Sequence, residues 1–127
     1  IDAASGKLRS TIPVGKQPHG VAVSADDKRA FVSKRSGSLS VVEIKSEKIM
    51  ETLDLQGQPE HLTLTPGGDY LLVGLKGRFQ GEEMDRRGSK NLTDAIAIID
   101  AESLQVIEEI PVWSQVHDIL VHSTVKE

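Results

Sequence analysis

His19, Glu60 and His117 lie 41 and 57 residues apart in a chain of 127. Each opens the same kind of stretch: "HGVAVS" at His19, "EHLTLT" at Glu60 and "HDILVHS" at His117. Two imidazoles and a carboxylate form a donor set suited to a non-haem metal ion. Metal bonds of about 2.0–2.2 Å would require the three side chains to converge tightly. His61 directly follows Glu60. On a strand it is expected to point the opposite way, because neighbouring side chains alternate.

A second set could recognise a ligand without bond chemistry. Arg78, Phe79, Arg86 and Arg87 fall between Leu75 and Asp94 in "LKGRFQGEEMDRRGSKNLTD". Guanidinium groups recognise carboxylates and phosphates, and Phe79 would supply an apolar anchor. Lys34 and Arg35 occupy the corresponding place earlier, in "KRSG", and Trp113 is the sole tryptophan. These seven residues are the expected ligand- or partner-binding set. Covalent catalysis finds no footing, since cysteine is absent and so is a G-x-S-x-G turn. The pairs Glu82–Glu83 and Glu108–Glu109 are sequence neighbours. On strands they face apart and make no acid/base dyad. No catalytic residue is assigned.

The elements that must position these residues are revealed by repetition. "TIPVGKQPHGVAVSADDKRAFVS" at Thr11 returns without gaps as "TLDLQGQPEHLTLTPGGDYLLVG" at Thr52, an offset of 52 − 11 = 41. "EIPVWSQVHDILVHS" at Glu109 is a third copy, delayed by a 16-residue insertion. His19, Glu60 and His117 fall on one position of the repeat. Each unit reads as four short strands, with alternation in "HGVAVS" and β-branched content in "SLSVVEI". "ADDK" and "PGGD" are turns at one repeat position, where Asp27 stands for Gly68. Asp tolerates the left-handed region better than most residues. Antiparallel four-stranded units at this period point to the blades of a β-propeller.

The stretch "IDAASGKLRSTIPVGKQPHGVAVSADDKRAFVS" resembles the YVTN-type propeller repeat. The likeness is carried by the Ile-Asp start, the Ser-Gly-Lys turn, "IPVG" and "P-H-G-V-A-V-S", and it covers the whole chain apart from the insertion. It departs where Asp27 replaces the turn glycine and where "SKRSG" follows the second strand. The resemblance implies a fold, all-β with four-stranded antiparallel blades, and no particular activity. The expected division is 1–17 as the end of one blade, 18–58 as a blade, and 59–116 as a blade with insertion 75–94. Residues 117–127 follow as the first strand of the next blade. In detail, Lys7 to Val14 should be an outermost strand and His117 to Ser123 an innermost one. That inventory is an incomplete ring of roughly two full blades and two partial ones, whereas closure takes 4–8 blades. The remaining blades would come from a missing segment or from other chains.

Up-and-down connectivity sends the crossings "GKQPH", "QGQPEH" and "VWSQVH", the turn "KRSG" and the insertion to one end of the strands. The insertion itself reads as a solvated loop. That loop-rich end is where binding is expected. The leading expectation is a non-catalytic binding or scaffolding propeller with a protein or small-ligand partner and no cofactor. Similar repeats occur in periplasmic quinoprotein amine dehydrogenases and haem nitrite reductases, which implies the alternative of a redox enzyme whose channel histidines meet a metal, haem or quinone. A lactonase-like hydrolase is the third reading. Net charge of −4 argues against a nucleic-acid surface. No apolar run reaches the roughly 20 residues of a membrane span. The resemblance suggests a periplasmic or extracellular setting, with the cytoplasm still open.

Overall fold

The computed structural model describes residues 1–84, 90–112 and 116–122, with backbone alone for 79–84 and 90–93. Eight strands form two sheets. The first holds β1 (Pro18–Val23), β2 (Arg29–Lys34), β3 (Ser38–Glu43) and β4 (Lys48–Asp54). The second holds β5 (Gln58–Leu64), β6 (Tyr70–Met84), β7 (Lys90–Asp100) and β8 (Val106–Val112). Within each, strands pair antiparallel in sequence order, so each sheet is a simple meander. Among the described residues there is no helix.

Alternation decides which face is buried. Register aligns Ala22 with Phe31 and Phe31 with Val41, which places these side chains on one face of the first sheet. Leu64, Leu71 and Ile99 line up likewise on the second, with Leu62, Val73 and Ala97 beside them. The two faces meet in one core: Phe31, Leu39 and Val41 against Leu62, Leu71, Val73, Leu75, Ala95, Ala97 and Ile99, all buried. Burial of each Leu, Val, Ile or Phe contributes about 1.5–3 kcal/mol. At the turn end, Arg29 crosses between sheets, donating from Nη1 to the Ala101 carbonyl at 2.8 Å and lying 5.3 Å from the Phe31 ring centroid.

Turn chemistry repeats with the sheets. Asp27 (φ 58°) and Gly68 (φ 79°) take the left-handed conformation at one repeat position, as the sequence predicts. Gly6, Glu47 and Leu104 share a second such position, with φ of 66°, 58° and 57°. There the Asp2 carboxylate accepts from the Ser5 amide and hydroxyl, and Asp100 does the same for Ser103. The outer strands carry a matched irregularity. Val41 pairs Glu51 and Val42 pairs Ile49, which leaves Met50 as an extra residue; Ile107 is extra in the same way between Ile98 and Ile99 partners. Both bulged side chains are exposed.

Three expectations change. Lys7 to Val14 is not a strand, although the hairpin end before it is formed, with the Asp2 amide donating to the Lys7 carbonyl at 2.8 Å. Residues 116–122 likewise carry no ladder. A strand exists only against a partner, and among the described residues neither segment has one. Insertion 75–94 is not a plain loop: β6 and β7 run on through it as a hairpin, pairing Phe79 with Thr93, Gln80 with Leu92 and Met84 with Lys90.

Candidate functional site

The site begins with a bulge. In β1, Pro18 pairs Lys34 while Gly20 pairs Ser33, so His19 is extra. In β5, Pro59 pairs Leu75 and Leu62 pairs Val73, so Glu60 and His61 together oppose Gly74. Two residues against one break strict alternation. Glu60 consequently turns inward and is only 1% exposed. His61 does not point away from the other histidines as expected. Its ring centroid lies 4.8 Å from that of His19 and 5.7 Å from that of His117. Three successive inner segments thus place three imidazoles in a row.

Backbone contacts bring the sheets this close. A Cβ on Gly20 would lie 2.9 Å from Leu62 Cδ2 and 2.9 Å from Ser33 Oγ. The Gly20 amide donates to Ser33 Oγ at 2.9 Å, and that hydroxyl donates onward to the Glu60 carbonyl. One serine therefore links strands of both sheets directly beneath the histidine row.

The Glu60 carboxylate is gripped from several sides. Arg35 donates from Nε to Oε1 at 2.9 Å and from Nη2 to Oε2 at 2.8 Å. His19 Nε2 is 3.0 Å from Oε2, and Lys76 Nζ is 3.5 Å from Oε1. Burial opposes ionisation of Glu60. The Arg35 hydrogen bond and the charges of Lys76, Arg35 and His19 outweigh it, holding the group below its ordinary 4.5. Desolvation, reinforced by Arg35, pushes His19 below 6.5 despite the pull of Glu60.

The other expected contacts divide. Arg35 faces solvent beside Glu60, whereas Lys34 is buried. Arg78 is committed to Glu109 of β8, with Nε 2.9 Å from Oε1 and Nη2 2.7 Å from Oε2. The Phe79 side chain, Arg86, Arg87 and Trp113 lie outside the described residues. Among the described residues no three His, Asp or Glu side chains are grouped to hold an ion. Glu60 spends both oxygens on cations, and Arg35 and Lys76 would repel a further one. Sequence reasoning missed Lys76, which stands at the repeat position of Arg35 (76 − 35 = 41). It also missed buried Asp94, which accepts from the Gly77 amide at 2.9 Å and the Val116 amide at 2.8 Å. Asp94 thereby fastens the hairpin base to the segment bearing His117.

No family model matches the chain, and no curated protein matches its sequence. Solved structures do match its shape. Hydrazine synthase of Kuenenia stuttgartiensis superposes with a TM-score of 0.60 at 19% identity, over 89% of this chain and 42% of that one. Dihydro-heme d1 dehydrogenase NirN, in complex with DHE, gives 0.59 at 19% identity, over 79% of this chain and 18% of that one. The RRP9 WD40 repeats give 0.60 at 16% identity, over 80% of this chain and 28% of that one. The chain spans less than half the length of each. At such identities the likeness concerns architecture, and the architecture is plain: this chain carries two four-stranded blades of a β-propeller.

Proposed function

We propose that this is a binding propeller that presents its loop-bearing end to a protein or small-molecule partner, without bond chemistry of its own. The asymmetry between the two ends of the strands carries the reading. At one end the turns are short and satisfy themselves, as Asp2 does with Ser5, Asp26 with Ser24 and Asp100 with Ser103. At the other end stand the β6–β7 hairpin, the histidine row, and Arg35 and Lys76 over Glu60. Glu60, held ionised by its neighbours, acts as an organiser of cations rather than a proton acceptor. Rigid strands bearing a variable end suit recognition.

The experiment is charge reversal at either end. Lys16→Glu with Lys76→Glu alters the loop-bearing end, and Lys28→Glu with Lys45→Glu alters the turn end. Affinity capture from the native source should lose its partner with the first pair alone. Equal loss from both pairs, or from the second alone, would overturn the reading. A second reading, the propeller part of a redox enzyme with histidines beside a cofactor, is favoured by the imidazole row. Its test is an absorbance titration with haem, in which a Soret shift that disappears in His61→Ala would support it.

A further inference from the structure

We propose that Arg35, Lys76 and the imidazoles of His19, His61 and His117 form a binding site for a small oxyanion, a carboxylate- or phosphate-bearing molecule. The inference rests on the loop-bearing end being the binding end, and it names the ligand chemistry that end takes.

The charge balance supports it first. Two permanent cations share one carboxylate, and that carboxylate is inside: the Glu60 side chain is 1% exposed, against 41% for Arg35 and 34% for Lys76. Solvent therefore meets the positive partners while the negative one is hidden beneath them. This local excess stands out in a chain of net charge −4. Two hydrogen bonds to Glu60 hold the Arg35 guanidinium in a fixed plane, so little of its freedom remains to be lost when an anion docks.

The neighbouring groups supply the remaining donors. At this end stand His19 of β1, Lys34 at the end of β2 with Arg35 directly after it, and Glu60 and His61 of β5. Lys76 and Arg78 come from β6, Asp94 from β7 and Glu109 from β8, with His117 and Asp118 from the last segment. Lys34 is buried, Arg78 holds Glu109, and Asp94 holds two amides. Arg35, Lys76 and the imidazoles offer donors to a ligand, and Asp54 and Asp118 are exposed acids at that end among the described residues. Each imidazole carries an N–H donor when neutral and two when protonated. A divalent cation would meet the opposite conditions, with Arg35 and Lys76 repelling it and both Glu60 oxygens already engaged.

The test is calorimetric titration of the protein with inorganic phosphate and, separately, citrate, against a chloride control. Saturable binding of one probe beyond chloride is expected, and the probe that binds separates a phosphate ligand from a carboxylate one. Lys76→Gln and His61→Gln both leave the Arg35–Glu60 pair intact, and each should weaken binding at least about fivefold; Lys28→Gln at the other end should not. Binding unchanged in both variants, or no binding beyond chloride, overturns the proposal. If neither anion binds while Lys16→Glu with Lys76→Glu still abolishes partner capture, the site falls and the binding-end reading stands. Failure of both experiments removes both.

Discussion

Arg35 and Lys76 reach the same carboxylate, that of Glu60, from two different blades. They are one repeat apart in sequence: Arg35 directly follows β2, and Lys76 stands at the equivalent point within the longer β6. Glu60 sits between them at 2.8 Å from Arg35 Nη2 and 3.5 Å from Lys76 Nζ. The repeat therefore builds a clasp across the blade boundary that neither blade could make alone.

Glu60→Gln should weaken that clasp without emptying it. A neutral amide keeps the shape and loses the charge, leaving Arg35 and Lys76 facing each other. Removing one member of a buried ion pair costs about 3–5 kcal/mol. Because both cations retain access to water, a loss of about 2–3 kcal/mol is expected here. Urea unfolding monitored by far-UV circular dichroism measures it, and a change below about 0.5 kcal/mol would show the clasp to be energetically idle.

Stability should fall in two steps on acidification. His19 is depressed below 6.5, so the unfolded chain binds its proton first and stability declines as pH drops below that value. Glu60 is depressed below 4.5, so its contribution is present above that pH and is lost as pH falls through the lower folded value. Asp2, Asp26 and Asp100 are held low by their turn hydrogen bonds and titrate in the same lower window. Urea midpoints between pH 8 and pH 3 should show His19→Gln removing the upper step and Glu60→Gln flattening the lower.

Gly20→Ala tests how closely the blades approach. The added methyl would sit 2.9 Å from both Leu62 Cδ2 and Ser33 Oγ, and 3.1 Å from the Glu60 carbonyl. Overpacking of this kind costs about 1–3 kcal/mol. The serine bridge should be disturbed as well, so amide exchange at Gly20 should quicken in the variant. Unaltered stability and exchange would mean that the strands part freely at this point.

Glu47→Gly should do the reverse. Glu47 is exposed and holds a φ of 58° at the repeat position where Gly6 holds 66°. A left-handed conformation costs a residue with a Cβ about 1–2 kcal/mol, part of which glycine returns as unfolded-state entropy. A net gain of up to about 1 kcal/mol is expected, read as a rise in Tm. A lower Tm would show that the Glu47 side chain supports the turn.

The repeat made the strands legible, because alternation and turn residues recur with one spacing and reinforce each other. Asp27 and Gly68 are one example, since their shared left-handed turn follows from residue type alone. The candidate site was legible only in part. His19, Glu60 and His117 were found as equivalents, yet equivalence in sequence is not equivalence in direction. A bulge is set by the register against the partner strand, and nothing in Glu60 or His61 announces that the two must share Gly74 as a partner. The hairpin through 75–94 was missed for a different reason. Its residues are polar and mixed in charge, so no apolar stripe marked the strands. Lys7 to Val14 has strand composition but joins no ladder among the described residues.

Met50 and Ile107 have a consequence for growth of the molecule. Each interrupts the hydrogen-bonding register of an outermost strand at the same point of the repeat. An incoming extended chain laid along the circumference would find its donors and acceptors out of step halfway along. The perimeter is thus a poor seed for fibrillar stacking, and contacts with other molecules are steered towards the flat ends and the flanks of the wedges.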